Sequence, residues 1–360
     1  MIAVPVLALL AALVVSSLDV PSTSDAYLWQ REVDVAVVDD FAAFSSGRLH
    51  VLAFDEMPAS SGTPAPGRKP FEQRDRRLLE ALARSGVPVV VTARVQTLRP
   101  LDGTFQRLID SFAAGGVDVV GLEIDHDCAS ARLPAYAAWL PGVRAEAGVP
   151  LSVTALPTWL KAPGWRAVVA AVDEVTLQLH AIRAPALFDV DDALGIIAAW
   201  PDLRVALPTY GVTLRGGDRV FADPVDVVKV RAAASRVSWF RWPAPGDRSA
   251  WDLKTLAIVD DAVGLDASQS LHPGLALTQE KQTDGTVAIH VKNTGDVAVP
   301  FPALFMGGDL ARDTFAGFIV DDRGAIAPTS ARFLHPGDDV VVGWARPLAR
   351  GGLGVALLPD

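Results

Sequence analysis

The sequence is poor in cysteine and shows no excess of basic residues. Cys128 is its one cysteine among 360 residues, so an internal disulfide and a cysteine-based zinc site are both excluded. The six histidines show no metal-ligand spacing such as H-x-x-x-H, and we expect no metal. The net charge is −10 and no basic stripe interrupts it, which makes nucleic acid and anionic membranes poor partners.

The sequence also lacks a hydrophobic run long enough for a comfortable membrane span. The apolar run at positions 2–15 is shorter than a transmembrane helix needs. It is typical of the core of a secretory signal peptide, although no Lys or Arg precedes Arg31 to form the usual basic region. We therefore expect residues 1–25 to be a signal-peptide-like segment of an exported (periplasmic or extracellular) protein, with no integral membrane span in the mature chain. A buried first helix is the alternative.

Half of the residues are apolar, which is enough for a large core. From residue 48 onward short β-branched runs alternate with amphipathic runs, and this alternation predicts βαβ units with a parallel sheet. Strands are predicted at 49–54, 88–95, 117–125, 151–156, 174–180, 204–207 and 237–241, with an eighth near 214–221. Helices are predicted at 74–84, 104–114, 133–147, 164–172, 191–200 and 224–235.

Eight such units fit an α/β fold of the (β/α)8 TIM-barrel type, which we predict for residues 26–270. A doubly wound open sheet is the alternative. Because no G-x-G-x-x-G follows the first predicted strand, a dinucleotide site has little support and we expect no cofactor. Positions 59–67 are rich in Ser, Pro and Gly and predict a flexible loop.

The pattern changes after residue 275. Helical periodicity stops, and alternating segments at 286–292, 297–301, 340–345 and 352–358 are separated by turn signals such as Asp284-Gly285 and Gly337-Asp338. We predict a small C-terminal β-sandwich domain over residues 275–360.

Three acids lie at the end of the third predicted strand. Glu123, Asp125 and Asp127 alternate with the apolar residues Leu122 and Ile124, so the acids share one face of the strand. The end of a barrel strand is where barrel enzymes place their chemistry. Mutual repulsion between such close carboxylates raises at least one pKa, which creates a general acid.

These acids also have a structural interpretation. They could pair with barrel arginines such as Arg94 or Arg183, or bind a cation. A charge cluster on an apolar strand is costly to bury, and this cost favours a functional interpretation.

Other predicted strand ends carry aromatic and polar groups. An indole ring offers an apolar face to the C–H face of a sugar, while nearby polar groups bond to the sugar hydroxyls. Packing in the core is the alternative for each aromatic ring. The predicted substrate-binding residues are His180, Tyr210, Trp159, Trp239, Arg241 and Trp242.

Four segments together resemble a known bacterial family. Tyr27-Leu-Trp-Gln-Arg31, the acidic stretch 122–128, the stretch 151–159, and the stretch 239–243 with Asp247 and Trp251 look like the domain of unknown function 3142. The resemblance covers roughly residues 25–265.

More distantly, the acidic stretch is similar to the D-G-x-D-x-D-x-E motif of family 18 glycoside hydrolases, the chitinase-like barrels. The resemblance implies that Asp125 matches the acid that positions the acetamido group and that Asp127 matches the proton donor. It also implies that Tyr210 matches the tyrosine of an L-P-x-Y-G segment, and Trp239 the tryptophan beneath the sugar site. Three positions differ: Asp127 is shorter than the family's Glu, Glu123 replaces an Asp, and His180 stands where a Tyr is expected.

The hypothesis is a glycoside hydrolase that acts on an extracytoplasmic polysaccharide or oligosaccharide. Asp127 would be the general acid, Asp125 would steady the developing positive charge or an acetamido group, and Glu123 would tune both. Two acids so close on one strand leave no room for a water between them, which predicts a retaining mechanism. The alternatives are a non-catalytic sugar-binding barrel and a metal-dependent hydrolase with carboxylate ligands. Nothing in the sequence specifies an oligomeric state.

Overall fold

A computed structural model describes residues 22–56, 71–73, 75–180, 189–213, 219–222, 224–244, 250–251, 253–260, 274–295, 298–301, 304–307, 310–314, 318–320, 325–328, 333–347 and 354–357. The chain divides into two compact units, Met1–Thr176 and Leu177–Asp360. Several predictions lie outside the described residues: positions 1–21 of the signal-like segment, the loop at 59–67, Arg183 and Asp247.

Eight parallel strands form the main sheet, and one short antiparallel strand pairs with the end of one of them. The chain order of the strands is β1 (Asp25–Leu28), β2 (Leu49–Asp55), β3 (Phe71–Glu72), β4 (Val89–Arg94), β5 (Val119–Asp125), β6 (Leu151–Ala155), β7 (Glu174–Gln178), β8 (Arg204–Pro208), β9 (Gly211–Thr213), β10 (Arg219–Phe221) and β11 (Val237–Phe240). The sheet order is β1-β11-β8-β7-β6-β5-β4-β2-β3, and β1 also pairs with β2. This pairing closes the sheet, so the predicted α/β barrel is confirmed.

The predicted position of the eighth barrel strand needs a correction. That strand is β1, which the sequence analysis missed, and not the predicted segment near 214–221. The described part of that segment, β10, pairs antiparallel with β9, which lies just before the segment. All four residues of β1 are buried, and four residues are at the lower limit for recognising a strand from its periodicity. The acidic strand β5 is therefore the fourth strand of the barrel.

Helices follow most of the strands, as the period of their apolar residues predicts. They are α1 (Ala36–Phe44), α2 (Arg76–Ser85), α3 (Thr104–Ala114), α4 (Leu133–Ala147), α5 (Trp165–Ala171), α6 (Val190–Ala199), α7 (Pro224–Ala233) and α8 (Leu253–Asp260), with 3-10 turns at Ser130–Arg132 and Pro157–Trp159. The start of α2 is fixed by Asp75, whose side chain accepts a hydrogen bond from the backbone N–H of Arg77. The helix ends at Gly86, whose φ of 66° suits glycine.

Antiparallel strands follow residue 275. They are β12 (Leu275–Lys281), β13 (Val287–Asn293), β14 (Val299–Pro300), β15 (Leu304–Gly307), β16 (Leu310–Thr314), β17 (Phe318–Val320), β18 (Ala325–Pro328), β19 (Phe333–Leu334), β20 (Asp339–Pro347) and β21 (Gly354–Leu357). Two four-stranded sheets have the orders β12-β13-β20-β16 and β17-β18-β15-β21. Residues from both sheets, including Ile289 and Ile326, share one hydrophobic core, which is the arrangement of a β-sandwich. The boundaries 26–270 and 275–360 stay predictions.

Among the described residues, no helix is both long and apolar enough to cross a membrane.

Candidate functional site

The three acids of the fourth barrel strand differ in their exposure. Glu123 is fully buried at 0% exposure and Asp125 is 4% exposed, whereas the side chain of Asp127, just beyond the strand, is 42% exposed. Leu122 and Ile124, which alternate with the acids, are both 0% exposed. The strand therefore leads from a buried carboxylate to one that solvent and ligands can reach.

Glu123 is contacted by polar side chains from three other strands. Tyr27 on β1 donates its hydroxyl to Oε2 at 2.9 Å, and Thr92 on β4 lies 3.4 Å from Oε1. Nδ1 of His50 on β2 lies 3.2 Å from the same Oε1. Such a carboxylate is satisfied inside the protein and does not need solvent.

Asp125 is contacted by a hydroxyl group and a guanidinium group. Thr154 on β6 donates its hydroxyl to Oδ1 at 2.6 Å, and Nε of Arg94 lies 3.4 Å from Oδ2. Burial, followed by the charge of Asp127, raises the pKa of Asp125 to about 7, although Thr154 and Arg94 act in the opposite direction. Near neutral pH this carboxyl group can therefore both hold and release a proton. The prediction that repulsion raises the pKa of one acid agrees with this shift, and burial is its larger cause.

Arg94 links the two aspartates. Its Nη2 lies 3.8 Å from Oδ2 of Asp127, and its guanidinium carbon is 6.0 Å from the ring centre of Trp29. The structural interpretation that named Arg94 as a partner is thus partly correct. Both distances to the carboxylates exceed those of a charge-assisted hydrogen bond, roughly 2.7–2.9 Å.

Further groups near these strand ends were not predicted as site residues. Trp29 follows β1 and is only partly buried, and Arg31 forms an ion pair with Asp55 at the end of β2. Because β1 was not predicted, its end was not recognised as part of the barrel rim. The signal that could have found Trp29 is its place in the segment 27–31, which carries the family resemblance.

The second unit holds another group of predicted site residues. The ring of His180 stacks on Phe240, with ring centres 4.2 Å apart and planes at 7°, and its Nδ1 lies 3.5 Å from the hydroxyl of Tyr210. The guanidinium of Arg241 lies over the Tyr210 ring at 5.9 Å. Burial lowers the pKa of His180 to about 4, so this imidazole is neutral at pH 7. The structure thus brings His180, Tyr210 and Arg241 together, and their substrate role stays a prediction.

The prediction that three tryptophans bind a sugar needs a correction. Trp159 is 1% exposed, and Trp239 and Trp242 are 0% exposed, so no ring face is open for a sugar to stack on. The indole N–H of Trp159 donates to the carbonyl of Cys128 at 3.0 Å, and that of Trp239 donates to Asp260 at 3.1 Å. These contacts give the rings a place in the core, which was the alternative interpretation.

Among the described residues, no group of three or more His, Cys, Asp or Glu side chains is arranged to hold a metal ion. The described acids can offer acid–base chemistry, since the charge of the exposed Asp127 raises the pKa of the buried Asp125. The side chain of Asp127 is open to a ligand, whereas that of Asp125 is buried.

Solved structures of carbohydrate-related proteins are among the neighbours of this chain. A GH18 chitinase from Pseudoalteromonas aurantia is 14% identical with a TM-score of 0.41, over 61% of this chain and 94% of that one. A GH18 chitinase from the chitin utilization locus of Flavobacterium johnsoniae is 10% identical with a TM-score of 0.44, over 67% and 94%. The xylanase and alpha-amylase inhibitor protein from Scadoxus multiflorus is 8% identical with a TM-score of 0.42, over 68% and 98%.

The likenesses are weak, and the barrel assignment rests on the strand pairings described above. No curated protein matches this chain. The model of the family described as domain of unknown function (DUF3142) matches residues 86–236, which include the acidic strand, so the predicted resemblance to that family is confirmed over those residues.

Proposed function

We propose that this chain is a glycoside hydrolase-type protein that acts on an extracytoplasmic glycan, with Asp127 as the proton donor and Asp125 as its partner. The observation that carries the proposal is the pairing of a buried carboxyl, whose pKa is raised to about 7, with a 42% exposed carboxyl two residues further along the strand. Export after residues 1–25 and the division into domains 26–270 and 275–360 belong to the same proposal.

The proposed reaction follows from the different exposure of the Asp125 and Asp127 side chains. Asp125 passes its proton to Asp127, and Asp127 gives it to the glycosidic oxygen while the bond from that oxygen to the anomeric carbon breaks and the oxygen keeps the electron pair. Asp125, left ionised by this transfer, steadies the positive charge on the sugar. Water then supplies the hydroxyl group, and its proton returns through Asp127 to Asp125. Because the acids are so close on one strand, we expect retention at the anomeric carbon.

The alternative is a sugar-binding barrel without catalysis. The contacts of Arg94 with both aspartates favour it, because a neighbouring cation stabilises ionised carboxylates, and these accept hydrogen bonds from sugar hydroxyls. Glycan binding without turnover, undiminished by Asp127→Asn, would support this alternative.

The test is hydrolysis of acetamido- and amino-sugar oligomers by the wild-type protein, Asp127→Asn and Asp125→Asn, with binding measured in parallel by calorimetry. We expect turnover by the wild type and a loss of roughly 100-fold or more in each variant. Asp118→Asn is the matched control, because Asp118 is exposed and lies just before the same strand. Activity undiminished in both variants would refute the assignment of the acids.

The group in the second unit is proposed to bind substrate as well. Tyr210→Phe removes one hydroxyl and keeps the ring. We expect it to raise KM with little change in kcat, because it removes binding and leaves the acids in place.

A further inference from the structure

A buried histidine that the proposed chemistry does not use lies between two carboxylates. His50 is 1% exposed. Its Nε2 lies 3.3 Å from Oδ2 of Asp25 and its Nδ1 lies 3.2 Å from Oε1 of Glu123. The Nδ1 contact is within ion-pair distance but lacks the angle of a hydrogen bond. A neutral imidazole would turn the lone pair of one nitrogen toward a carboxylate, whereas an imidazolium presents an N–H on the side of both. The geometry therefore fits the charged form.

The surroundings of His50 form a line of alternating charge inside the first unit. Arg48 binds Asp25 at 2.7 Å and also reaches Glu174 on β7 at 2.7 Å. The Tyr27 ring lies against His50 with ring centres 4.6 Å apart. In order, the charged groups are Glu174, Arg48, Asp25, His50 and Glu123.

His50 places a basic group beside the buried carboxyl group of Glu123. A carboxylate at 0% exposure needs a cation or several donors to stabilise its charge. Tyr27 and Thr92 offer Glu123 neutral hydroxyls, and His50 is the basic side chain within ion-pair distance of it in the described part of the chain. Burial alone would lower the pKa of His50, but the charge of Glu123 and the hydrogen bond to Asp25 raise it to about 9.

The charge of Glu123 also affects the pKa of Asp125, the next acid on the strand. Burial and the charge of Asp127 raise the pKa of Asp125, and the charge of Glu123 adds to the same effect. If Glu123 were neutral, Asp125 would lose its proton at a lower pH.

We infer that His50 is a positioning residue that acts through Glu123: as a buried imidazolium it keeps Glu123 ionised, and the charge of Glu123 helps Asp125 to hold its proton at neutral pH. The inference rests on the proposed function for the use of that proton. The protonation states themselves can be measured without any substrate.

The test compares the wild type with His50→Gln and Glu123→Gln by infrared difference spectroscopy of isotope-labelled carboxyl groups. In His50→Gln we expect Glu123 to be protonated at pH 7. The C=O band of its carboxyl group is identified by its disappearance in the double variant His50→Gln, Glu123→Gln. The titration midpoint of Asp125 should then fall by about one pH unit, toward its value in Glu123→Gln. An ionised Glu123 in His50→Gln, or an unchanged midpoint of Asp125, would overturn the inference.

His290→Gln is the matched control. His290 also lies near two carboxylates, Asp339 at 2.9 Å and Glu280 at 3.4 Å, but these are 45% and 68% exposed. Its replacement should leave the titration of Asp125 unchanged. A shift equal to that in His50→Gln would count against a specific role of His50.

A second measurement uses the wild-type protein, since His50→Gln can fail to fold. Nitrogen NMR of histidine-labelled protein should show His50 protonated on both ring nitrogens at pH 8. In Glu123→Gln the pH at which it loses a proton should fall. A neutral His50 in the wild type at pH 8 would refute the inference. Hydrolysis by the Asp127 variant tests the proposed function separately, so the two can fail independently.

Discussion

Replacement of Asp125 by asparagine should change how the stability of the protein depends on pH. Asp125 is 4% exposed, and burial with the charge of Asp127 raises its pKa from 3.8 to about 7. Between these two pH values the folded state keeps a proton that the unfolded state has released. Because the folded-state pKa lies above the unfolded one, the contribution of Asp125 to stability is greatest below about pH 4 and is lost as the pH rises through about 7.

The size of this effect follows from the shift. At about 1.36 kcal/mol per pH unit, a pKa shift from 3.8 to about 7 destabilises the protein by about 4 kcal/mol above pH 7. About 3 kcal/mol of this loss falls between pH 5 and pH 8. Asparagine does not titrate, and its oxygen still accepts the hydrogen bond from Thr154. The wild type should therefore lose about 3 kcal/mol more than Asp125→Asn between pH 5 and pH 8.

The assay is denaturant unfolding at both pH values, followed by tryptophan fluorescence. Unfolding midpoints are compared between variants at each pH, and their difference multiplied by a common slope gives the difference in free energy of unfolding. Asp118→Asn, which removes an exposed carboxyl just before the same strand, should follow the wild type. If Asp125→Asn also follows the wild type at both pH values, the carboxyl does not hold its proton and the reasoning is wrong.

Three further variants or reactions test the site and its surroundings. Trp239→Phe removes the hydrogen bond to the buried Asp260; thermal unfolding should show a loss of about 1–3 kcal/mol, while calorimetry shows unchanged sugar binding. Trp29→Ala should weaken sugar binding several-fold, since its ring is partly open beside Arg94; equal affinity would remove Trp29 from the site. Burial raises the pKa of the Cys128 thiol, so a disulfide reagent should label the folded protein much more slowly than the denatured one, and equally fast labelling would contradict this.

Periodicity predicted much of the barrel because its helices have one apolar face. The helices Thr104–Ala114 and Leu133–Ala147 begin and end where the sequence analysis placed them. The strand Asp25–Leu28 was missed because it has only four residues, which is at the lower limit for recognising a periodicity. All four are buried although the first is an aspartate, so the composition did not reveal the burial.

The site was predictable along one strand but not between strands. Alternation placed Glu123 and Asp125 on one face, but the partners that set their protonation come from distant positions. Tyr27 is 96 residues from Glu123, and Thr154 is 29 residues from Asp125. The predicted tryptophan platform was wrong for a related reason: an indole at a strand end has the same sequence pattern whether it faces a ligand or the core, and only burial distinguishes the two.

The structural and functional interpretations of the acidic strand apply to different parts of it. Glu123 has a hydroxyl donor at 2.9 Å and a histidine at 3.2 Å, so its charge is satisfied within the barrel. Asp125 has a close hydroxyl donor, but Arg94 lies 3.4 Å away and the pKa of the carboxyl remains raised to about 7. An acid that served only to pair with Arg94 would be ionised well below neutral pH. The raised pKa of Asp125 lies where the strand approaches the exposed Asp127, which is why we propose this end of the strand as the place where a ligand that needs a proton binds.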